Sequence, residues 1–359
     1  MTLAELGWTD YFAQAFAPYA AEGCVPARVT LHLKGYYEVT GEFGAKLGEC
    51  TGRFLHAAIS SAALPAIGDW AAVTPQPDTD NRASIHGLLP RRTKFSRKAA
   101  GEQEIEQVVA ANVDTVFLVS SLDANFNLHR IERYLAAAWA SGASPVILLN
   151  KADVCEEAGA RQREVEAIAP KVPVLILSAR TRRGLKALAP WLQPGRTVAF
   201  LGSSGVGKST LINRLVGEAR QDTQKVRAAD GKGLHTTTQR ELLIAPGGAL
   251  IIDTPGMREL SPWDAGAEVA AAFTDVAEIA ARCKFRDCAH TVEPGCAVQA
   301  ALADGTLDLG RWQSYLRMGR ATAHETRRHD RLAQQQHKSH SKKGAQGLRR
   351  RLHEKSGEE

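Results

Sequence analysis

Apolar positions recur along this 359-residue chain with changing period, and each change marks a change of predicted structure. Over residues 1–22, Leu3, Leu6, Trp8, Phe12, Phe16 and Tyr19 give a short amphipathic segment that carries no evident chemistry and is expected to pack on a neighbour. From Val25 to about Lys98 the apolar runs are short: Ala27 to Leu33, Tyr36 to Thr40, Gly52 to Ile59, Asp69 to Thr74 and Ser84 to Leu89. Glycines, prolines and the run Asp78-Thr79-Asp80-Asn81 separate them as turns. Five strands in so short a stretch predict a small barrel, and the OB-fold is the common five-stranded one.

From Ala99 the period lengthens. Apolar strands at Thr115 to Val119, Pro145 to Leu149, Val174 to Leu177, Val198 to Leu201 and Leu250 to Ile252 alternate with helical stretches such as Arg130 to Ala140 and Arg161 to Ile168. That alternation predicts an α/β domain with a mainly parallel sheet, in which ligands bind at the C-terminal ends of the strands. A helix then follows over Glu268 to Arg282 with Val269, Phe273, Val276 and Ile279 on one face, and Trp312, Tyr315 and Leu316 predict a packed helix further on. Beyond about Arg331 the chain turns polar and basic, a composition that predicts disorder. The expected domains are a 1–24 extension, a 25–98 barrel, a 99–262 nucleotide domain, a small helical domain over 263–335 and a 336–359 tail.

The strongest chemical signal is Thr-Val-Ala-Phe-Leu-Gly-Ser-Ser-Gly-Val-Gly-Lys-Ser-Thr over residues 197–210. An apolar strand runs into Gly202-Ser203-Ser204-Gly205-Val206-Gly207-Lys208-Ser209-Thr210, and Leu211, Ile212 and Leu215 continue with helical spacing. This is a phosphate-binding loop. Its glycines let backbone N–H groups turn toward a polyphosphate, Lys208 can reach the β- and γ-phosphates, and the Ser209 hydroxyl can ligate Mg²⁺.

Other strand ends carry matching chemistry. After Pro145 to Leu149 comes Asn150-Lys151-Ala152-Asp153, where the Asp153 carboxylate can accept two N–H bonds from a guanine edge that adenine lacks. After Val174 to Leu177 come Ser178 and Ala179, whose backbone N–H could meet the guanine O6. Leu250 to Ile252 leads into Asp253-Thr254-Pro255-Gly256, an acidic residue for Mg²⁺ and a glycine for the γ-phosphate. Between them, His235-Thr236-Thr237-Thr238 has the composition of a switch, with Thr237 assigned to Mg²⁺. Lys208, His235 and Asp253 are the candidate catalytic residues. Met257 stands where many GTPases have a water-orienting Gln, so turnover is expected to be slow without a partner, and His235 is a candidate to position the water or else packs or contacts RNA. The guanine motifs precede the phosphate loop, the reverse of the usual order, so the domain reads as circularly permuted and its switch leads straight into the next domain.

That next domain holds Cys283, Cys288, His290 and Cys296, three thiols and an imidazole suited to one tetrahedral, structural Zn²⁺. Cys24, Cys50 and Cys155 stand apart in sequence and are expected to be buried thiols. Overall composition is ordinary for a globular protein, with 44% apolar and 23% charged residues, and no apolar run approaches the roughly 18 residues of a membrane span. A cytosolic protein is the expectation. The formal charge of +6 resides in the tail, where Arg320 to Glu359 holds 11 basic against 5 acidic residues. A second basic run, Arg91, Arg92, Lys94, Arg97 and Lys98 with Phe95 among them, is either a solvated edge or a contact to nucleic-acid phosphate with Phe95 stacking on a base.

From about Val25 to Met318 these motifs, in this order and with this zinc spacing, resemble the bacterial circularly permuted, ribosome-small-subunit-dependent GTPases of the RsgA (YjeQ) family. The quoted residues are Arg-Arg-Thr-Lys-Phe-Ser-Arg-Lys, Asn-Lys-Ala-Asp, the phosphate loop, His-Thr-Thr-Thr, Asp-Thr-Pro-Gly-Met-Arg-Glu-Leu and the Cys/Cys/His/Cys set. The resemblance implies a late maturation factor of the small ribosomal subunit that binds rRNA and hydrolyses GTP to leave or remodel the particle; a monomer is expected. A rival reading is an RNA-binding scaffold in which GTP only locks a conformation. A third, an ATP-driven enzyme, is disfavoured by Asp153.

Overall fold

The computed structural model describes residues 1–33, 35–77, 81–98, 106–217, 240–253, 274–285, 288–291, 293–307, 309, 312, 315 and 316. Two compact units divide the chain, Met1–Trp263 and Asp264–Glu359.

The first unit opens with α1 (Asp10–Ala21), whose buried Phe12 and Phe16 join Leu6, Trp70 and Leu89 in a small cluster. Trp8 sets its ring 4.6 Å from that of Trp70, nearly edge-on. The segment therefore packs against the barrel that follows. β1 (Val25–Leu33), β2 (Tyr36–Gly41), β3 (Gly44–Cys50), β4 (Trp70–Pro75) and β5 (Arg82–Leu88) run in the order β1-β2-β3-β5-β4, and β4 pairs back onto β1 to close the barrel. Val29, Val39, Ala71, Val73, Ala83 and Ile85 fill its interior.

The expected strand over Gly52 to Ile59 is instead a short helix, α2 (Gly52–Ala57). Thr51 caps it by accepting the Phe54 N–H at 3.3 Å, and Phe54 packs on the core while Leu55 and Ile59 stay exposed. A strand would have aligned these apolar residues with a partner; the cap and the single half-buried aromatic favour about one and a half helical turns. The third strand is Gly44–Cys50, ahead of that position.

A two-stranded ribbon, β6 (Lys94–Lys98) with β7 (Glu106–Ala111), leads into the α/β domain. Its elements are β8 (Thr115–Ser121), α3 (Leu128–Ser141), β9 (Ser144–Asn150), α4 (Ala158–Ile168), β10 (Val174–Ile176), β11 (Thr197–Leu201), α5 (Lys208–Val216), β12 (Arg240–Ile244) and β13 (Leu250–Asp253). The sheet order is β10-β9-β8-β11-β13-β12, parallel except for β12. Ile131 and Leu135 of α3 and Val165 of α4 cover the face presented by Leu118, Ile147 and Leu149. Leu211 and Ile212 of α5 cover the opposite face, with Phe117, Val119 and Phe200. The phosphate-loop strand β11 is thus central in the sheet but comes fourth in the chain order of its parallel strands, the permutation read from the motifs. β12 also pairs with β1, with Leu31 opposite Glu241, so barrel and nucleotide domain share one continuous sheet.

In the second unit α6 (Thr274–Ala280) packs against α7 (Ala297–Ala303), with Val276, Val298, Ala301, Leu307 and Trp312 buried. Among the described residues no helix is long and apolar enough to cross a membrane.

Candidate nucleotide-binding site

At the C-terminal edge of the parallel sheet, Gly202 to Gly207 turn the chain from β11 into α5. Gly205 and Gly207 have φ of 79° and 100°, left-handed values that a side chain rarely adopts. Gly202 lies so close to the Val119 carbonyl that a Cβ would collide with it. Lys208, at the first turn of α5, donates to the carbonyls of Gly202 (2.6 Å) and Ser203 (2.7 Å), which folds its side chain back over the loop. Ser209 and Thr210 follow on the exposed start of the helix. Asp253 ends β13 immediately beyond Ile252, which pairs with Ala199 of β11, so its carboxylate belongs to the strand beside the loop.

Asn150 joins the glycine-rich loop to the loop that follows β10. It is 2% exposed, and its Nδ2 donates to the Val206 carbonyl at 2.8 Å while its Oδ1 accepts the Ala179 N–H at 2.9 Å. A buried amide that satisfies both its ends on two different loops fixes their separation. Ala152 is buried, with its N–H on the Leu177 carbonyl, which anchors the turn holding Asp153. Ser178 Oγ donates to Asp153 Oδ1 at 2.6 Å and accepts the Thr181 N–H at 3.1 Å. The Ser178 hydroxyl, and beyond it nearby Arg180 and Lys151, hold the Asp153 carboxyl below its ordinary range, so it is ionised at neutral pH and able to accept N–H bonds.

The sequence reading missed Asp123, two residues past the end of β8. Its Oδ2 accepts from Lys151 Nζ at 2.7 Å, and its Oδ1 accepts from Ser121 Oγ at 2.7 Å and the Asn125 N–H at 3.0 Å. The Lys151 contact is the main reason its carboxyl is pulled down to about 2. Further along, Arg130 Nη1 reaches both the Asn125 carbonyl and Ser203 Oγ at 3.2 Å. The rule that found Asn150, Ser178 and Asp253, a polar residue at the C-terminal end of a parallel strand, also finds Asp123. His235, Thr237 and Gly256 lie outside the described residues.

The expectation for the basic run needs correction. Phe95 is 2% exposed and packs in the core, so its ring cannot stack on a base. Arg91 grips the fully buried Asp69 through Nε (2.8 Å) and Nη2 (2.6 Å) and donates to the Ala62 and Leu64 carbonyls; it holds the barrel together and has no fork left for phosphate. Arg92 pairs with Asp114 at 2.7 Å, Lys94 with Glu106 at 2.9 Å, and Arg97 donates to Gln107. The side chain of Lys98 lies outside the described residues. Lys94, 53% exposed, is the most open of the described cations in this run. Of the isolated thiols, Cys24 is buried, whereas Cys50 and Cys155 are only half-buried.

The second unit gathers Cys283, Cys288, His290 and Cys296 with their ligand atoms all within 4.8 Å of one another. Cys283 Sγ lies 3.9 Å from Cys296 Sγ and 3.4 Å from His290 Nδ1, and Cys296 Sγ lies 3.6 Å from that nitrogen. Bonds of roughly 2.3 Å to sulfur and 2.0 Å to nitrogen in a tetrahedron give ligand separations of this size, so the set fits a four-coordinate metal. The His290 ring is also braced edge-on by Trp312 at 5.4 Å.

A family model described as RsgA GTPase matches residues 88–263. A curated small ribosomal subunit biogenesis GTPase RsgA from Opitutus terrae is 53% identical over 98% of both chains, and one from Syntrophotalea carbinolica is 43% identical over 93% of both. Among solved structures, YjeQ from Thermotoga maritima superposes with a TM-score of 0.61 at 27% identity, covering 84% of this chain and 99% of that one. YloQ, a circularly permuted GTPase, gives 0.60 at 24% identity over 84% and 95%, a likeness of fold. With a glycine-rich strand-to-helix loop and a permuted strand order in one sheet, and with relatives this similar over nearly the whole chain, this chain belongs to the RsgA GTPase family.

Proposed function

We propose that this GTPase acts as an assembly factor in late maturation of the small ribosomal subunit, binding rRNA in the cytoplasm as a monomer and hydrolysing GTP when the subunit stimulates it. The observation that carries the site reading is Asn150, which couples the loop for the base to the loop for the phosphates. In this reading Asp153 selects guanine through its N1 and 2-amino groups, with the Ala179 N–H facing O6. The turned N–H groups from Gly202 to Thr210 and the Lys208 ammonium bind the β- and γ-phosphates, with Gly256 beside the latter. Ser209 and Asp253 supply hard oxygen donors that suit Mg²⁺, with Thr237 as the third protein group; the ion offsets charge on the phosphate oxygens. His235 orients the attacking water, because the Met257 thioether offers no useful hydrogen bond to it. The cysteine and histidine set holds one structural zinc.

GTP turnover measured with and without purified small subunits tests the reading. Stimulation of tenfold or more, retained with large subunits absent, is the expected result; equal rates would favour a scaffold that uses GTP only as a lock. His235→Ala should lose that stimulation while GTP affinity and subunit binding stay intact, and full stimulated turnover in this variant would remove the histidine from the mechanism.

A further inference from the structure

Lys151 occupies an uncommon conformation for a residue with a side chain, φ 64° and ψ 35°, directly between the buried Asn150 and the turn that carries Asp153. Its backbone is therefore set by the turn, and where its side chain goes is decided by what its ammonium meets. That group meets Asp123 Oδ2 at 2.7 Å. The carboxylate does not depend on the lysine for its own placement, because Ser121 Oγ and the Asn125 N–H hold the other oxygen. Both side chains are partly exposed, at 33% for Lys151 and 27% for Asp123, so the contact lies at the rim of the site with solvent on one side.

We propose that Asp123 is a positioning residue of the nucleotide site, which latches the Lys151 ammonium so that the lysine's methylene stem forms a fixed apolar wall for the flat face of the base read by Asp153. This rests on the reading of Lys151 and Asp153 as base-binding residues. A four-carbon stem left free would sample many rotamers, and ordering it on binding would weaken affinity. The latch orders it beforehand. Because the wall touches the base and not the phosphates, it contributes equally to GTP and GDP and to ground and transition states, which is uniform binding. The same Asn125 that steadies Asp123 offers its carbonyl to Arg130, whose guanidinium also reaches Ser203, so the latch is built on a loop braced against the phosphate loop.

The test is a double-mutant cycle on the full chain. Asp123→Asn keeps an acceptor for Ser121 and Asn125 and exchanges only the oxygen facing Lys151 for an amide that repels an ammonium. Lys151→Met keeps an apolar stem and removes the charge. Expected results are Kd values for GTP and GDP raised by the same factor of about tenfold in Asp123→Asn, a raised KM with kcat at saturating GTP within about twofold, and partial rescue by Asp123→Glu. In the Lys151→Met background, Asp123→Asn should add no further loss. Additive losses, or unchanged Kd in Asp123→Asn, would overturn the latch. Asp153→Asn, assayed alongside for a change of preference from guanine to xanthine, separates the two levels of inference: if it switches while the cycle is additive, only the role of Asp123 fails, and if it keeps guanine preference, the base-pocket reading fails and the latch with it.

Discussion

Arg28 Nη2 donates to Thr197 Oγ1 at 2.8 Å, tying the first strand of the barrel to the first residue of the strand that feeds the phosphate loop. The same guanidinium donates to the carbonyls of Leu6, Gly68 and Asn112 and lies over the Trp70 ring, at 1% exposure. Burial pulls its pKa down to about 10, which leaves it charged at neutral pH. A buried cation of this kind is tolerated because each of its three nitrogens donates to an oxygen.

Arg28→Lys should therefore not be conservative. A single ammonium cannot span four acceptors held in a planar fork, so buried oxygens lose their partners. We expect a loss of about 2–4 kcal/mol in urea unfolding of the full chain. A loss below about 0.5 kcal/mol would mean that water replaces the fork without penalty.

Arg91 and Lys94 should behave oppositely although they are three residues apart. Arg91→Ala leaves Asp69 buried without its charge partner and should cost about 3 kcal/mol of stability. Lys94→Gln removes a half-exposed pair worth little to the fold. If the ribbon faces rRNA, it should instead lower the slope of log affinity against log salt for the small subunit by up to about 1. Melting curves and salt titrations of both variants check this, and a stable Arg91→Ala protein with a reduced salt slope would return Arg91 to the RNA surface.

What the sequence concealed had definite physical causes. β3 is hard to see in the sequence because its inward positions are Lys46 and Gly48, which carry no apolar signal. Lys46 is 6% exposed, with Nζ on the Gln76 carbonyl, and Gly48 sits where Val39 and Ile85 leave about the space of a hydrogen. Phe95 alternates into the core, but the charged residues on both sides of it mask this in the sequence. The phosphate loop, Asn150, Asp153 and the Cys/His set were legible since their chemistry demands particular residue types at short fixed spacing. Arg28 and Asp69 act through partners far away in sequence, and no local pattern announces them, whereas Asp123 stands at a strand end where the same rule finds it.

The metal cluster supplies a separable prediction. Four potential ligand atoms within 4.8 Å of one another suit a single ion, and metal binding is folding free energy for a small helical unit. One equivalent of zinc should copurify, and Cys288→Ser or a strong chelator should abolish an unfolding transition belonging to Asp264–Glu359 while the transition of Met1–Trp263 persists. An unchanged melting profile in metal-free protein would show that packing of Val276, Val298 and Trp312 suffices.

Gly207 and Gly205 offer a sharper test of how the site is held together. Both have positive φ, so alanine at either strains the backbone by about 1 kcal/mol. Around Gly205 nothing lies within 4 Å of an added Cβ, whereas at Gly207 that carbon would run into Asn150 Nδ2. Displacing the amide breaks its bond to Val206 and pulls its other end from Ala179, which uncouples the phosphate loop from the base loop. Gly205→Ala should then cost GTP and GDP affinity only several-fold, while Gly207→Ala should cost about a hundredfold or more, with kcat irrelevant because little nucleotide binds. Asn150→Ala should reproduce most of the Gly207→Ala loss, and adding Gly207→Ala to it should then cost little more than the strain. Equal losses at the two glycines would mean that left-handed geometry alone, without Asn150, sets the affinity of the loop.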